Sequence, residues 1–228
     1  MDNAVALVQA FLRLHGYLTV TEFPVVRAAR GGGQECLTDL DVLAFRFGEA
    51  SGPGEAMHHP AESEANRLLG ITGGVPDMII GEVKEGRAEL NDAATRHDVL
   101  TAALERFGCC RHSEIDGIVH ELLRHGRANT QHGHGVRLVA FGTLAPGHQD
   151  RRCHVVLLGD IVAHLRADMR RHWDAWRASA SKDPGFGMLL TLEKAERGHL
   201  PAVRGVPPSA DQSTGRTRDS RGGQHHHG

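Results

Sequence analysis

The chain has 228 residues, with 26 Lys and Arg against 28 Asp and Glu, a formal net charge of -2 and a pI near 6.8; this length suffices for one domain with its own core plus a short accessory segment. So small a charge excludes a global field that would draw the protein onto a polyanion, and any nucleic-acid contact has to rest on a local Arg patch. No stretch approaches the roughly 20 apolar residues of a membrane span, and the opening residues lack the basic-then-apolar profile of a secretory signal, so a cytoplasmic protein is expected.

In residues 4–14, Val5, Val8, Phe11 and Leu12 recur at helical spacing, with Asp2 or Asn3 as cap and Gly16 as stop. Residues 17–28 are rich in β-branched and aromatic side chains and carry Pro24, which marks an edge strand or a bulge. The glycines at 31–33 turn the chain into a second strand over 38–47, where alternation puts Asp39 and Asp41 on one side. Residues 48–75 read as a long loop with one helical turn at 62–69.

A largely buried strand follows over 76–86, entered through Met78, Ile79 and Ile80. Residues 91–108 open on capping residues and close on Gly108, the signature of a helix, and 113–126 repeat the pattern as a helical insertion. Two more strands are expected at 136–144 and 153–158, then a helix over 160–178. The order is mixed α/β, and residues 1–200 form the domain. The tail from 201 to 228 holds too few large apolar residues to repay the entropy of ordering and is expected to be disordered.

The four cysteines, Cys36, Cys109, Cys110 and Cys153, show no CxxC spacing, so reduced thiols are expected. Histidine is abundant at 17 residues, with clusters at His58-His59, His132-Gly133-His134 and His225 to His227. Neutral imidazole is a common transition-metal ligand, but no HExxH or Cys-His spacing accompanies them, and scattered surface histidine is the better reading.

The chemistry concentrates in Glu82-Val83-Lys84. Side chains alternate along a strand, so Glu82 and Lys84 share a face and Val83 packs on the other. If the strand holding Asp41 pairs beside this one, two carboxylates and an ammonium converge among apolar residues. Burying them costs several kcal/mol per ion unless they are paired or metal-bound. Hard Mg²⁺ resolves that cost, because it takes a few carboxylate oxygens plus waters and phosphate oxygens.

Asp41-Val42 followed by Glu82-Val83-Lys84, in the order helix, three strands, helix, strand, resembles the PD-(D/E)xK, or restriction-endonuclease-like, nuclease superfamily over about residues 4–159. The resemblance implies an α-β-β-β-α-β core with a mixed central sheet and Mg²⁺-dependent hydrolysis of phosphodiester bonds in DNA, with RNA left open and Mn²⁺ as the alternative cation. It implies Asp41, Glu82 and Lys84 as the catalytic set, with Asp41, Glu82 and the Val83 carbonyl as metal ligands. Asp39, Asp77 and Glu22 are additional acidic candidates. Asp77 follows Pro76 as in the family's Pro-Asp pair, yet it lies only five residues before Glu82, so Asp41 is preferred. Many relatives act as dimers because two cuts need two sites, which makes a homodimer the implied assembly.

Arg87 and Arg96 follow the motif and are candidates for phosphate contacts. Arg166, Arg170 and Arg171 surround Trp173 and Trp176 as the best local basic cluster, although tryptophans at helical spacing with Met169 are more often core. Two other function classes stay open. One is a catalytically inactive relative that binds nucleic acid or protein, and the other is a transition-metal-binding protein that depends on His132 and His134.

Overall fold

The computed structural model describes residues 2–29, 31–48, 60–71, 74–148 and 152–199. Helix α1 (Asn3–Leu14) buries Val5, Val8, Phe11 and Leu12 along one stripe, and its cap is Asp2, whose Oδ1 accepts the Ala4 N–H at 2.9 Å. Strands β1 (Leu18–Ala28) and β2 (Gln34–Arg46) form a long antiparallel hairpin through the glycines at 31–33. Helix α2 (Pro60–Leu69) precedes β3 (Asp77–Arg87), which runs antiparallel to β2.

From β3 the chain crosses over through α3 (His97–Phe107), α4 (His112–His125) and the short β4 (Arg127–Asn129) to β5 (Gly135–Leu144), which lies parallel to β3. Gly108 and Gly126, at φ 59° and 69°, stop the two helices in the left-handed conformation that glycine tolerates. The last elements are β6 (His154–Leu157), α5 (Leu158–Arg171), α6 (Trp173–Trp176) and α7 (Pro184–His199).

The result is an α/β fold with a mixed six-stranded sheet in the order β1-β2-β3-β5-β4, where β6 also pairs with β5. Helices cover both faces, so the sheet separates two apolar cores. One core joins Ile79, Val83, Val139 and Phe141 of the sheet to α1, α2, α5 and α7. The other joins Leu43, Met78, Ile80 and Leu138 to α3 and α4. Each fully buried Leu, Ile, Phe or Met removes enough apolar surface from water to contribute about 1.5–3 kcal/mol. β3 therefore needs apolar side chains on both faces, and it has them: from Asp77 to Val83 every position is buried.

Several boundaries differ from the periodicity. The helix expected at 91–108 begins only at His97, because Asn91 caps a separate turn by accepting the Ala94 N–H at 2.7 Å. The helix expected at 160–178 breaks at His172, and α7 was not expected at all. Its apolar residues crowd its first half without a clean period, and Phe186, Leu189 and Leu190 find burial only against the other helices. The helical turn at 62–69 is the full helix α2. Residues 49–59 and 72–73 of the loop expected at 48–75, and all of the tail expected at 201–228, lie outside the described residues, as do His58, His59 and His225 to His227. Among the described residues no helix is long and apolar enough to cross a membrane.

Candidate active site

Pairing of β2 with β3 runs from Arg46↔Asp77 to Val42↔Gly81 and stops there. Two residues further along β3, the Val83 N–H donates not to a β2 carbonyl but to Asp41 Oδ2, at 2.8 Å. The two strands part, and the carboxylate of Asp41 fills the opening. β2 also changes face at this point: Val42 belongs to one core, whereas Leu40 and Leu43 both belong to the other. Uninterrupted alternation would put Leu40 and Leu43 on opposite faces, so the expected shared side of Asp39 and Asp41 does not follow from the pleat.

Continuing the β1–β2 register, in which Thr21 opposes Val42 and Phe23 opposes Leu40, sets Glu22 across from Asp41. Glu22 has φ 52°, and no other non-glycine described residue has a positive φ. A left-handed residue inside a strand marks the same local distortion from the β1 side. Glu22 and Asp2 both act on Asp41 through space, so the start of α1 also borders the site.

Glu82 lies 6 % exposed at the parting of the strands. Its Oε1 accepts from Asn91 Nδ2 at 2.7 Å, while its Oε2 is buried with no hydrogen-bond partner among the described residues. Burial, then repulsion from Asp41, pushes its pKa up to about 7, against the Asn91 hydrogen bond and the attraction of Lys84. Asp41 is raised as well, chiefly by burial, while the Val83 N–H and Lys84 pull it down. Lys84, half-buried two residues beyond Glu82, thus acts on both carboxylates.

Asn91 reaches Glu82 because the chain leaving β3 doubles back over β5. Ala88 N donates to Leu144 O at 2.9 Å, and Gly142, which pairs with Lys84, permits the approach. A Cβ on Gly142 would stand only 2.5 Å from Ala88 N. Asn91 was legible as a cap, but its contact with Glu82 depends on that return and left no signal in the spacing. Asp2 was likewise legible only as a cap.

The structure does not bring every acidic candidate here. Asp77 opens β3 at its other end, 4 % exposed, where Arg137 binds both its oxygens at 2.8 and 2.7 Å and the Tyr17 hydroxyl donates to it at 2.6 Å. A carboxylate that balances a buried guanidinium is engaged in the fold, and the structure does not bring Asp77 together with Asp41 and Glu82. Asp39 is exposed opposite Pro24, and it is not among the groups that act on Asp41 or Glu82.

Two arginines of the C-terminal cluster are engaged in ion pairs. Arg166 pairs with Glu193 at 3.5 Å and with Glu196, and Arg170 pairs with Glu193 at 3.1 Å, so they latch α5 to α7. Trp176 meets Phe186 at 4.8 Å, and the Arg197 guanidinium sits 4.0 Å over the Trp173 ring. Arg171 is exposed at the end of α5. Arg96 pairs with Asp98, while Arg87, exposed at the end of β3, donates to Ala145 O at 3.4 Å. A cleft of about 1060 Å³, lined by Asp77, Arg124, Arg127, Arg137 and His154, lies at the end of the sheet away from Glu82.

Among the described residues no three His, Cys, Asp or Glu side chains stand together as a ready-made metal cage. The His132 and His134 rings are 6.2 Å apart in the turn before β5. The chemistry of the donors at the parting of the strands is that of hard oxygen: two carboxylates, one with an unsatisfied buried oxygen, and the main chain of β3. Comparison of the chain with protein-family models, with curated proteins and with solved structures finds no match.

Proposed function

We propose that the protein hydrolyses phosphodiester bonds in DNA with Mg²⁺, using a PD-(D/E)xK-type site on a restriction-endonuclease-like sheet. The observation that carries the reading is the meeting of Asp41 and Glu82 where β2 and β3 part, with Glu82 Oε2 buried and unpartnered. A buried carboxylate oxygen without a partner costs on the order of 1–3 kcal/mol, and a cation coordinated there removes that cost.

Mg²⁺ needs only one or two protein carboxylates because it keeps several waters, so a site built from Asp41 and Glu82 suits it better than Ca²⁺. Asp41 and Glu82 would hold it, with the Val83 carbonyl as a further oxygen ligand. When bound, the ion would make a water more acidic and draw charge from a phosphate oxygen. Lys84 orients the attacking water and offsets the negative charge that grows on the phosphoryl oxygens during attack. Asn91 holds the Glu82 carboxylate from behind, and Glu22 and Asp2 keep the potential negative, which favours the dication over a monovalent ion. Arg87, beyond Lys84 on the same strand, is the arginine best placed to meet the DNA backbone.

The test is incubation of the purified protein with plasmid, linear and branched DNA, with and without Mg²⁺ or Mn²⁺. Cleavage that needs the cation and disappears in Lys84→Ala supports the reading. Retained DNA affinity without cleavage, in the native protein and in Glu82→Ala alike, would instead identify a binding module of the same architecture.

A further inference from the structure

Asn91 makes two hydrogen bonds that together fix which way its amide faces. The Ala94 N–H is a donor and must meet the amide oxygen, at 2.7 Å, so the NH₂ group is turned to Glu82 Oε1, also at 2.7 Å. One oxygen of Glu82 is thereby occupied, and the other, Oε2, remains buried and unpartnered.

We propose that Asn91 is a positioning residue that makes Glu82 a one-oxygen ligand and so tunes the site to Mg²⁺ over Ca²⁺. This rests on the cation-dependent reading of the site above. The physical reason is the difference between the two ions. Mg²⁺ demands near-octahedral geometry and suits a single oxygen from each carboxylate, whereas Ca²⁺ takes six to eight oxygens and readily accepts both oxygens of one carboxylate. With Oε1 held by Asn91, coordination of a cation through both oxygens of Glu82 has to compete with that hydrogen bond, whereas coordination through Oε2 alone does not. A group that holds a ligand's far atom also fixes the ligand's rotamer, and its loss typically weakens metal binding by roughly 10- to 100-fold.

The residue also caps the turn that leads to α3, so capping and positioning have to be separated. Asn91→Ser retains an oxygen able to accept the Ala94 N–H but is too short to reach Glu82, whereas Asn91→Ala removes both contacts. Titration calorimetry of Mg²⁺ and of Ca²⁺ into the native protein and both variants, with thermal melts to report folding, makes the separation. The expected result is a melting temperature for Asn91→Ser close to native, Mg²⁺ affinity weaker by roughly 10-fold or more, and a ratio of Ca²⁺ to Mg²⁺ affinity shifted toward Ca²⁺. Native Mg²⁺ affinity and an unchanged ratio in a folded Asn91→Ser would overturn the role of Asn91 and leave the site standing. Binding of neither ion by the native protein, or binding unaffected by Asp41→Asn and Glu82→Gln, would overturn the site itself and Asn91's role with it.

Discussion

Asp41 accepts the backbone N–H of Val83 across the opening between β2 and β3, at 2.8 Å, where a strand carbonyl would otherwise sit. A side chain thus replaces one rung of the ladder. The pairing ends there without leaving the buried Val83 N–H unsatisfied. The same bond holds Asp41 beside Glu82.

On the proposed reading, Lys84 is the group whose loss separates binding from chemistry. Lys84→Ala is expected to lower the rate of DNA cleavage by about 100- to 1000-fold, the usual effect of removing one group that stabilises transition-state charge. Mg²⁺ affinity, measured by calorimetry, is expected to remain within a few-fold of native, because the ammonium is not a ligand. A cleavage rate unchanged by the substitution would remove Lys84 from the mechanism.

Glu82 gives the metal-free protein an alkaline liability. Its pKa is raised from 4.5 to about 7 in the folded state, so the native form binds a proton that the unfolded chain has released. The stability this contributes is complete below about pH 4.5 and is lost as pH rises through about 7. Glu82→Gln, which keeps the Asn91 bond and removes the charge, is expected to raise the melting temperature at pH 8 by several degrees and change it little at pH 5. Thermal melts in chelator across that range provide the check.

His15 pulls in the other direction. Burial, then the neighbouring His164, lowers its pKa from 6.5 to about 4, with Asp168 opposing and Arg46 adding to the depression. The native protein binds fewer protons there than the unfolded chain, so stability is present above about pH 6.5 and is lost as pH falls through about 4. The His15 ring packs edge-on against Phe11 and His164 at 4.9 and 4.8 Å, a contact that a leucine side chain replaces in part. His15→Leu should therefore flatten the acid limb of melting temperature against pH while leaving cleavage at pH 7.5 unchanged.

Asp77 should behave as a folding residue. Asp77→Asn leaves the Arg137 guanidinium buried without its counter-charge, at a cost of about 3 kcal/mol or more. Chemical denaturation is expected to show that loss, while Mg²⁺ affinity of the folded fraction stays native. A selective loss of Mg²⁺ binding with unchanged stability would return Asp77 to the site.

The elements with regular periods and clear stops were legible in the sequence. The stripe of Val5, Val8, Phe11 and Leu12, the apolar run into Glu82 and the closing glycines 108 and 126 are local facts, and local geometry alone gives α1, β3, α3 and α4. The sharing of a face by Glu82 and Lys84 follows equally from the two-residue repeat of a strand. That repeat is interrupted between Leu40 and Leu43, where β2 changes face as it parts from β3.

What the sequence by itself determined was a mixed α/β chain with an acid and an amine on one buried strand. Tertiary structure alone decided which acidic residue joins them, since Asp41 and Asp77 both precede Glu82 and only strand pairing separates them: Asp77 is drawn to Arg137, and Asp41 to Val83. It also decided that Arg166 and Arg170 bind α7, and that Asn91 returns to Glu82. These are contacts between residues distant along the chain or joined by a turn, and their partners are chosen by burial and charge balance, which carry no period.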